Sequence, residues 1–340
     1  MPASGFRFRT WLLVLLLVVA AAGGAVGWAG LRWVDEPLPL ARSPVDATVA
    51  PGSSTRKVAQ TWADAGVQVP GDWLYWWFRL SGDAARIRAG SYSITAGATP
   101  RSLLRKMVDG EESFEQVRLI EGWTMRQWRA ALAQAPHLSP TTAKMSDDEL
   151  MAAIGAPGVK AEGRFFPDTY RYGRGVSDVT VLKRAYAQMQ QRLEAAWAGR
   201  TADLPLKSPD EALILASIVE KETGRPADRG QIAGVFVNRL RLGMPLQTDP
   251  TVIYGLGPGF DGNLRKRDLL ADTPFNTYTR RGLPPTPIAM PGADALAVAV
   301  QPQATKALYF VARGDGSSAF SESLADHNRA VNTYQRGGTP

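Results

Sequence analysis

The sequence predicts an α+β protein on a single N-terminal transmembrane helix, with a small module first and a larger mixed α/β domain after it. Three observations carry this expectation. An uninterrupted apolar run, Trp11–Leu31, holds no charge and no proline. The stretch that follows alternates short period-two segments with capped helices. From residue 121 helical spacing dominates, broken by Gly/Pro-punctuated loops that mix acids and aromatics. A chain of 340 residues with 45% hydrophobic and 21% charged residues has enough apolar surface for a real core, which excludes a disordered chain.

The apolar run spans about 31 Å at 1.5 Å per residue, close to the thickness of a bilayer's hydrocarbon layer. Arg7 and Arg9 precede it, and Arg32, Asp35 and Glu36 follow. The positive-inside rule then keeps residues 1–10 in the cytoplasm, makes 11–33 the anchor and exports everything beyond. The rival reading is a cleaved signal peptide, for which Ala20–Ala25 offers small-residue sites. Both readings export the rest.

Residues 35–54 are rich in Pro, Ala and Ser, and 34–45 read as a stalk. The module over 46–120 starts with a strand near Ala47–Val49. A helix over Lys57–Ala65 follows, with Ser54-Thr55 as N-cap and Gly66 as C-cap. A second helix, Asp72–Leu80, carries Trp73, Tyr75, Trp76, Trp77 and Phe78. This cluster reads as core or membrane-facing surface, with a sugar-stacking platform as the rival. Tyr92 and Ile94 alternate with Ser and Thr in a strand. Thr99-Pro100 opens a helix that ends at Gly110, and Gln116–Ile120 closes as a strand.

In the larger domain, 121–335, helical spacing covers Met125–Gln134, Asp147–Ile154 and Val181–Ala198. The loop Glu162–Tyr170 lies between the last two. The sharpest helix starts at Ser208-Pro209-Asp210-Glu211, with an N-cap, Pro at the first turn and Glu at N3, and is expected to end at Thr223 with Gly224 as C-cap. Ala212–Val219 is apolar on nearly every face, so this helix is expected to be buried. Its last turn holds Glu220-Lys221-Glu222, acids that oppose the helix dipole. A helix over Asp228–Leu242 stops at Gly243. A bend then presents Gln247, Thr248 and Asp249, and further loops carry Asn276 and Tyr278.

The chemistry is narrowed by elimination. Without cysteine there is no thiolate, disulfide or Cys-ligated metal. The two histidines, His137 and His327, stand outside any catalytic or metal-binding spacing and read as structural. No nucleophile elbow, zinc-protease helix, phosphate loop or dinucleotide fingerprint is present. No cofactor and no metal are expected. The net charge of +7 suits an anionic partner. Its Lys and Arg are scattered, however, with no aromatic-interleaved basic run, so no nucleic-acid partner is expected. Carboxylate chemistry remains. At 100° per residue Glu220 shares a face with Leu213, Ala216 and Ser217, where small side chains leave room for a ligand. Glu222 faces Leu215, Ile218 and Val219 and reads as a structural ion pair. A Glu against an apolar helix has its charged form disfavoured, the property of a general acid near neutral pH. Amide, hydroxyl and aromatic groups on nearby loops suit carbohydrate.

A set of segments occurs together and in order: Glu121-Gly-Trp-Thr124, Glu162-Gly with Phe166-Pro-Asp-Thr-Tyr170, Leu215-Ala-Ser-Ile-Val-Glu-Lys-Glu222, Val237-Asn-Arg-Leu240, Leu246-Gln-Thr-Asp-Pro-Thr-Val-Ile-Tyr-Gly255, Tyr278, Gly282-Leu-Pro-Pro285 and Pro291-Gly-Ala293. Together they resemble the MltG-type (YceG-like) endolytic murein transglycosylases of bacteria, over roughly residues 30–335. Arg164-Phe165 departs from the more apolar pair expected there. The resemblance implies a LysM-like module over 46–120, a catalytic domain over 121–335 and one essential Glu, which matches Glu220. It implies cleavage of the bond between N-acetylmuramic acid and N-acetylglucosamine in nascent strands, with formation of a 1,6-anhydromuramyl end and limitation of strand length. Candidate substrate-binding residues are Glu162, Glu222, Asn238, Gln247, Thr248, Asp249, Asn276 and Tyr278. Expected partners are murein glycan strands, the membrane and murein synthases (penicillin-binding proteins). The expected location is the bacterial inner membrane with the catalytic domain in the periplasm. A muramidase, using water and a second acid such as Glu222, Asp249 or Glu162, and a non-catalytic murein-binding scaffold are the alternatives.

Overall fold

The computed structural model describes residues 4–337; residues 1–3, in the segment expected to be cytoplasmic, lie outside the described residues. Helix α1 (Ser4–Trp33) contains a stretch, Leu16–Trp33, long and apolar enough to cross a membrane, none of it buried within the protein. One such helix fits a single-pass anchor. The remainder is a mixed α/β chain in which helices dominate and the strands form three two-stranded sheets. It folds as two compact units: residues up to Glu115 with 136–138 and 171–176, and the rest of the chain.

In the first unit the order is β1 (Val45–Val49), α2 (Thr55–Ala65), α3 (Gly71–Leu80), β2 (Gly90–Ile94), then α4 (Pro100–Asp109). The expected strand–helix–helix–strand order is present. β1 and β2 pair antiparallel, Val45 opposite Ile94 and Val49 opposite Gly90. Local chemistry sets the helix ends. The Ser54 hydroxyl accepts from the Lys57 amide, Thr99 and Ser102 cap each other, and Gly110 ends α4 at φ 73°. Trp62, Leu74, Phe78, Tyr92, Leu103 and Met107 form the centre of the core. β1 starts two residues before the expected strand because Val45 is itself fully buried.

β3 (Phe114–Leu119) pairs with β4 (Asp168–Gly173), a strand where only a loop was expected. Helices α5 (Met125–Gln134) and α6 (Asp147–Ile154) have the expected bounds. After β4 come α7 (Asp178–Ala198), α8 (Pro209–Glu222), α9 (Pro226–Arg241), α10 (Asp249–Leu256), α11 (Lys266–Leu270) and α12 (Ala293–Val300). The hairpin β5 (Tyr309–Ala312) and β6 (Ser318–Ser321) precedes α13 (Leu324–Gln335).

α8 is the centre of the second unit. Every residue from Ala212 to Val219 is buried, as its apolar circumference requires, with α7, α9, α10 and α12 packed around it. The packing tolerates little. A Cβ on Gly234 of α9 would lie 2.5 Å from the Gln303 carbonyl oxygen. The start of α8 is half the expected capping box: Ser208 accepts from the Glu211 amide, but Glu211 turns back to the Lys207 amide at 2.6 Å. Its end also differs. Thr223 leaves the helix in an extended conformation, so Gly224 is not the C-cap. α9 begins at Pro226, earlier than expected, because proline at the first turn fits a helix start.

Candidate active site

The last turn of α8 carries Glu220 into a narrow polar site. Its side chain is only 4% exposed. Oε1 accepts from Nη2 of Arg229 on α9 at 3.1 Å, and Oε2 accepts from the Gly292 amide, just before α12, at 2.9 Å. Burial is the largest influence and pushes the carboxyl above the usual carboxylate range. The Gly292 amide and the Arg229 guanidinium pull the other way, and Glu121 and Asp294 add to the upward push.

Two glycines flank the carboxylate. A Cβ on Gly122 would sit 3.8 Å from Cγ of Glu220, and one on Gly292 would sit 2.4 Å from a Glu121 carboxylate oxygen. Gly122 also adopts φ +72°, which favours glycine. Backbone bonds pin the two segments together: the Gly122 amide donates to Met290 O and the Met290 amide to Trp123 O, both at 2.8 Å. Lys221 Nζ donates to Gly122 O at 3.2 Å. Glu121 lines an open pocket of about 420 Å³ with Arg118, Asp168 and Thr169. The room expected beside Ala216 and Ser217 is absent. Both are fully buried, and the Ser217 hydroxyl accepts from the Ile288 amide at 3.0 Å.

The other expected site residues fall into separate groups. Among the described residues Glu222 has no ion-pair partner, so the expected structural ion pair is absent. It accepts a hydrogen bond from the Thr248 hydroxyl, and burial pushes it up to about 7. Two residues apart on a helix, Glu220 and Glu222 project about 200° apart, so they cannot flank one bond from the same side. Beside Glu222, the Tyr278 hydroxyl donates to Asp249 at 2.5 Å and Arg239 Nη1 to Gln247 Oε1 at 3.3 Å. Gln247 has φ +51°, and Asp249 opens α10, a helix where a bend was expected. Asn238 donates to the carbonyls of Thr305 and Ala307, and Asn276 to those of Asp268, Leu269 and Ala271. Their amide protons are engaged in holding loops together. Glu162 is 9% exposed and accepts from the Met125 amide and the Tyr254 hydroxyl.

A YceG-like family model matches residues 47–333, most of the chain. The chain belongs to the YceG-like family. It is 30% identical over 310 residues to an endolytic murein transglycosylase of Bacillus subtilis, covering 86% of this chain and 85% of that one. It is 25% identical over 356 residues to an endolytic murein transglycosylase of Streptococcus pneumoniae, covering 94% of this chain and 64% of that one. A crystal structure of a yceG-like protein from Listeria monocytogenes aligns with a TM-score of 0.55 and 27% identity, covering 85% of this chain and 99% of that one.

In this YceG-like chain the sequence reading missed Arg229, Gly292 and the neighbourhood of Glu121. Glu121-Gly and Pro291-Gly stand in the segments that carry the resemblance, but only the fold reveals that they meet at Glu220. Glu162 gives a pH test of stability. Burial raises its carboxyl from 4.5 to about 7, so between these values the folded state binds more protons than the unfolded one. Stability is therefore full below about 4.5 and falls as pH rises towards 7. Glu162→Gln is expected to flatten that fall by on the order of 3 kcal/mol. Thermal melts of both proteins from pH 4 to pH 8 check it; parallel curves would contradict it.

Proposed function

We propose that this chain is an endolytic lytic transglycosylase of nascent murein. It cuts the bond between N-acetylmuramic acid and N-acetylglucosamine and leaves a 1,6-anhydromuramyl end. The observation that carries the reading is the desolvated carboxyl of Glu220, held by Arg229 and the Gly292 amide between two glycines. The names of the curated relatives support it.

Protonated Glu220 donates to the glycosidic oxygen as the bond to muramyl C1 breaks. The oxocarbenium-like centre at C1 is stabilised by the sugar's own N-acetyl group. The carboxylate left behind is held by Arg229 and Gly292. It then takes the proton from the muramyl C6 hydroxyl as that oxygen closes on C1. The proton returns to Glu220, no water is consumed and one carboxyl suffices, unlike the two-carboxylate hydrolases. The projection of Glu222 away from the face that carries Glu220 fits this economy.

The positioning role of Arg229 has its own signature. Its charge favours ionised Glu220, so Arg229→Met is expected to raise the acid's pKa. The alkaline limb of the kcat–pH profile then moves upward. An unmoved or lowered limb would contradict the role.

With α1 in the membrane, the site acts on the outer side of the bacterial inner membrane, on strands still near their synthases. The strand–helix–helix–strand module is read as LysM-like, binding glycan. Strand-length limitation follows from cutting at a restricted height. The test is a time course of limited digestion of long, uncrosslinked strands. Endolytic cutting yields intermediate lengths from the first minutes; steady release of single disaccharide units would overturn it.

A further inference from the structure

α3 has two apolar faces: one is fully buried in the core, and the other meets it only through half-buried Trp77. Leu74 and Phe78, fully buried, pack inward. Trp73, Trp76, Trp77 and Leu80 follow i, i+3, i+4, i+7 spacing and fall on a second stripe. On that stripe Trp73 is 56% exposed, Trp76 55% and Leu80 77%. With the last turns of α1 they line an open apolar groove of about 660 Å³, walled by Gly30, Leu31 and Trp33 on one side and Trp73, Trp76 and Leu80 on the other. Trp73 meets Trp33 edge to face at 5.6 Å. Among the described residues, the indole N–H groups of Trp73 and Trp76 have no protein acceptor.

The place of this stripe decides what covers it. α1 passes without a break into the folded unit: Val34 is 3% exposed, and Arg101 grips Asp35 through two hydrogen bonds of 2.6 and 3.1 Å. The stripe is thus held beside the very end of the anchor, at the depth where a bilayer's hydrocarbon gives way to headgroups. Rings with an apolar body and a free N–H suit that zone better than either water or hydrocarbon. Exposed Arg79 on α3 borders the stripe, as anionic headgroups favour, while Arg32 on α1 is paired with Glu36 at 3.9 Å and exposed Asp72 with Arg56 at 2.6 Å.

We infer that the Trp73–Trp76–Leu80 face of α3 lies in the interfacial layer of the outer leaflet, continuous with α1, as a second membrane contact. It adds a second constraint on the height and tilt of the first unit to the one that α1 supplies. This rests on the reading of α1 as a membrane span.

The chain has no cysteine, so single-cysteine variants can be labelled cleanly. The full chain is placed in vesicles of phosphatidylethanolamine and phosphatidylglycerol, with an environment-sensitive fluorophore at Trp76→Cys or Leu80→Cys. Ala20→Cys in α1 and Asp315→Cys in the β5–β6 turn serve as references. Labels at 76 and 80 are expected to be quenched by lipids carrying a nitroxide near the headgroup, and their quenching by aqueous iodide to be at least about threefold weaker than at 315. If 20 is quenched by deep nitroxide lipids while 76 and 80 respond to iodide as 315 does, the anchor stands and this inference falls. If 20 is not quenched by lipid either, both fall. Shielding from iodide without lipid quenching overturns it in favour of a protein partner. Shielding that arises only when glycan strands are added overturns it in favour of a sugar platform.

Discussion

Glu220→Gln is expected to lower strand cleavage by about two to four orders of magnitude while the protein keeps its fold. Glutamine preserves the volume and can still accept the Gly292 amide, but it neither gives nor takes a proton. Arg229 loses its charged partner and keeps only the looser approach to Asp294 at 3.7 Å. A modest stability loss, on the order of 1 kcal/mol, is expected from that. Initial cleavage rates and thermal melts of the two proteins measured side by side check both halves. Cleavage by the variant within tenfold of the parent would remove Glu220 from the chemistry.

Gly163→Ala is expected to produce the largest loss of stability. Gly163 has φ +78°, and a Cβ there would lie 2.3 Å from Cβ of Pro287, a ring that cannot swing aside. Left-handed strain and overpacking together amount to roughly 2–5 kcal/mol. Gly155→Ala is the matching reference: its φ is +93° with nothing within 4 Å of the added Cβ, so it meets strain alone. The melting temperature is expected to fall clearly further for Gly163→Ala than for Gly155→Ala. Pro287 leads directly into the Ile288–Gly292 segment that supplies an amide to Glu220, so activity is expected to fall with stability. Equal melting temperatures for the two variants would mean that the Pro287 contact is unimportant.

What could be read from the sequence was what local pattern determines. The long apolar helix α1, the capped helices of the first unit and the buried circumference of α8 all follow from spacing and capping chemistry within a few residues. Glu220 stood out because an acid at a helix C-terminus is locally unfavourable. What escaped was what distant segments do to it. Gly292 reaches Glu220 across 72 residues of chain. Arg229 reads in sequence as one more charge in the first turns of a helix. Ala216 and Ser217 looked like open space because small residues signal close approach without saying of what; the occupant is the Ile288 backbone. α12 hid in an Ala/Val run with no polar face to reveal a helical period. β4 is six residues long and needed its partner β3 to be recognised.

The central claim is that one carboxyl breaks the glycosidic bond and closes the new ring without water. The most direct test is mass spectrometry of muropeptides after purified, uncrosslinked strands have been digested by the full chain and by Glu220→Gln. New muramyl ends lighter than hydrolysed ones by one water, about 18 Da, and absent with the variant, are the predicted result. Reducing ends carrying that water would contradict it and make the enzyme a muramidase with a second acid to be found.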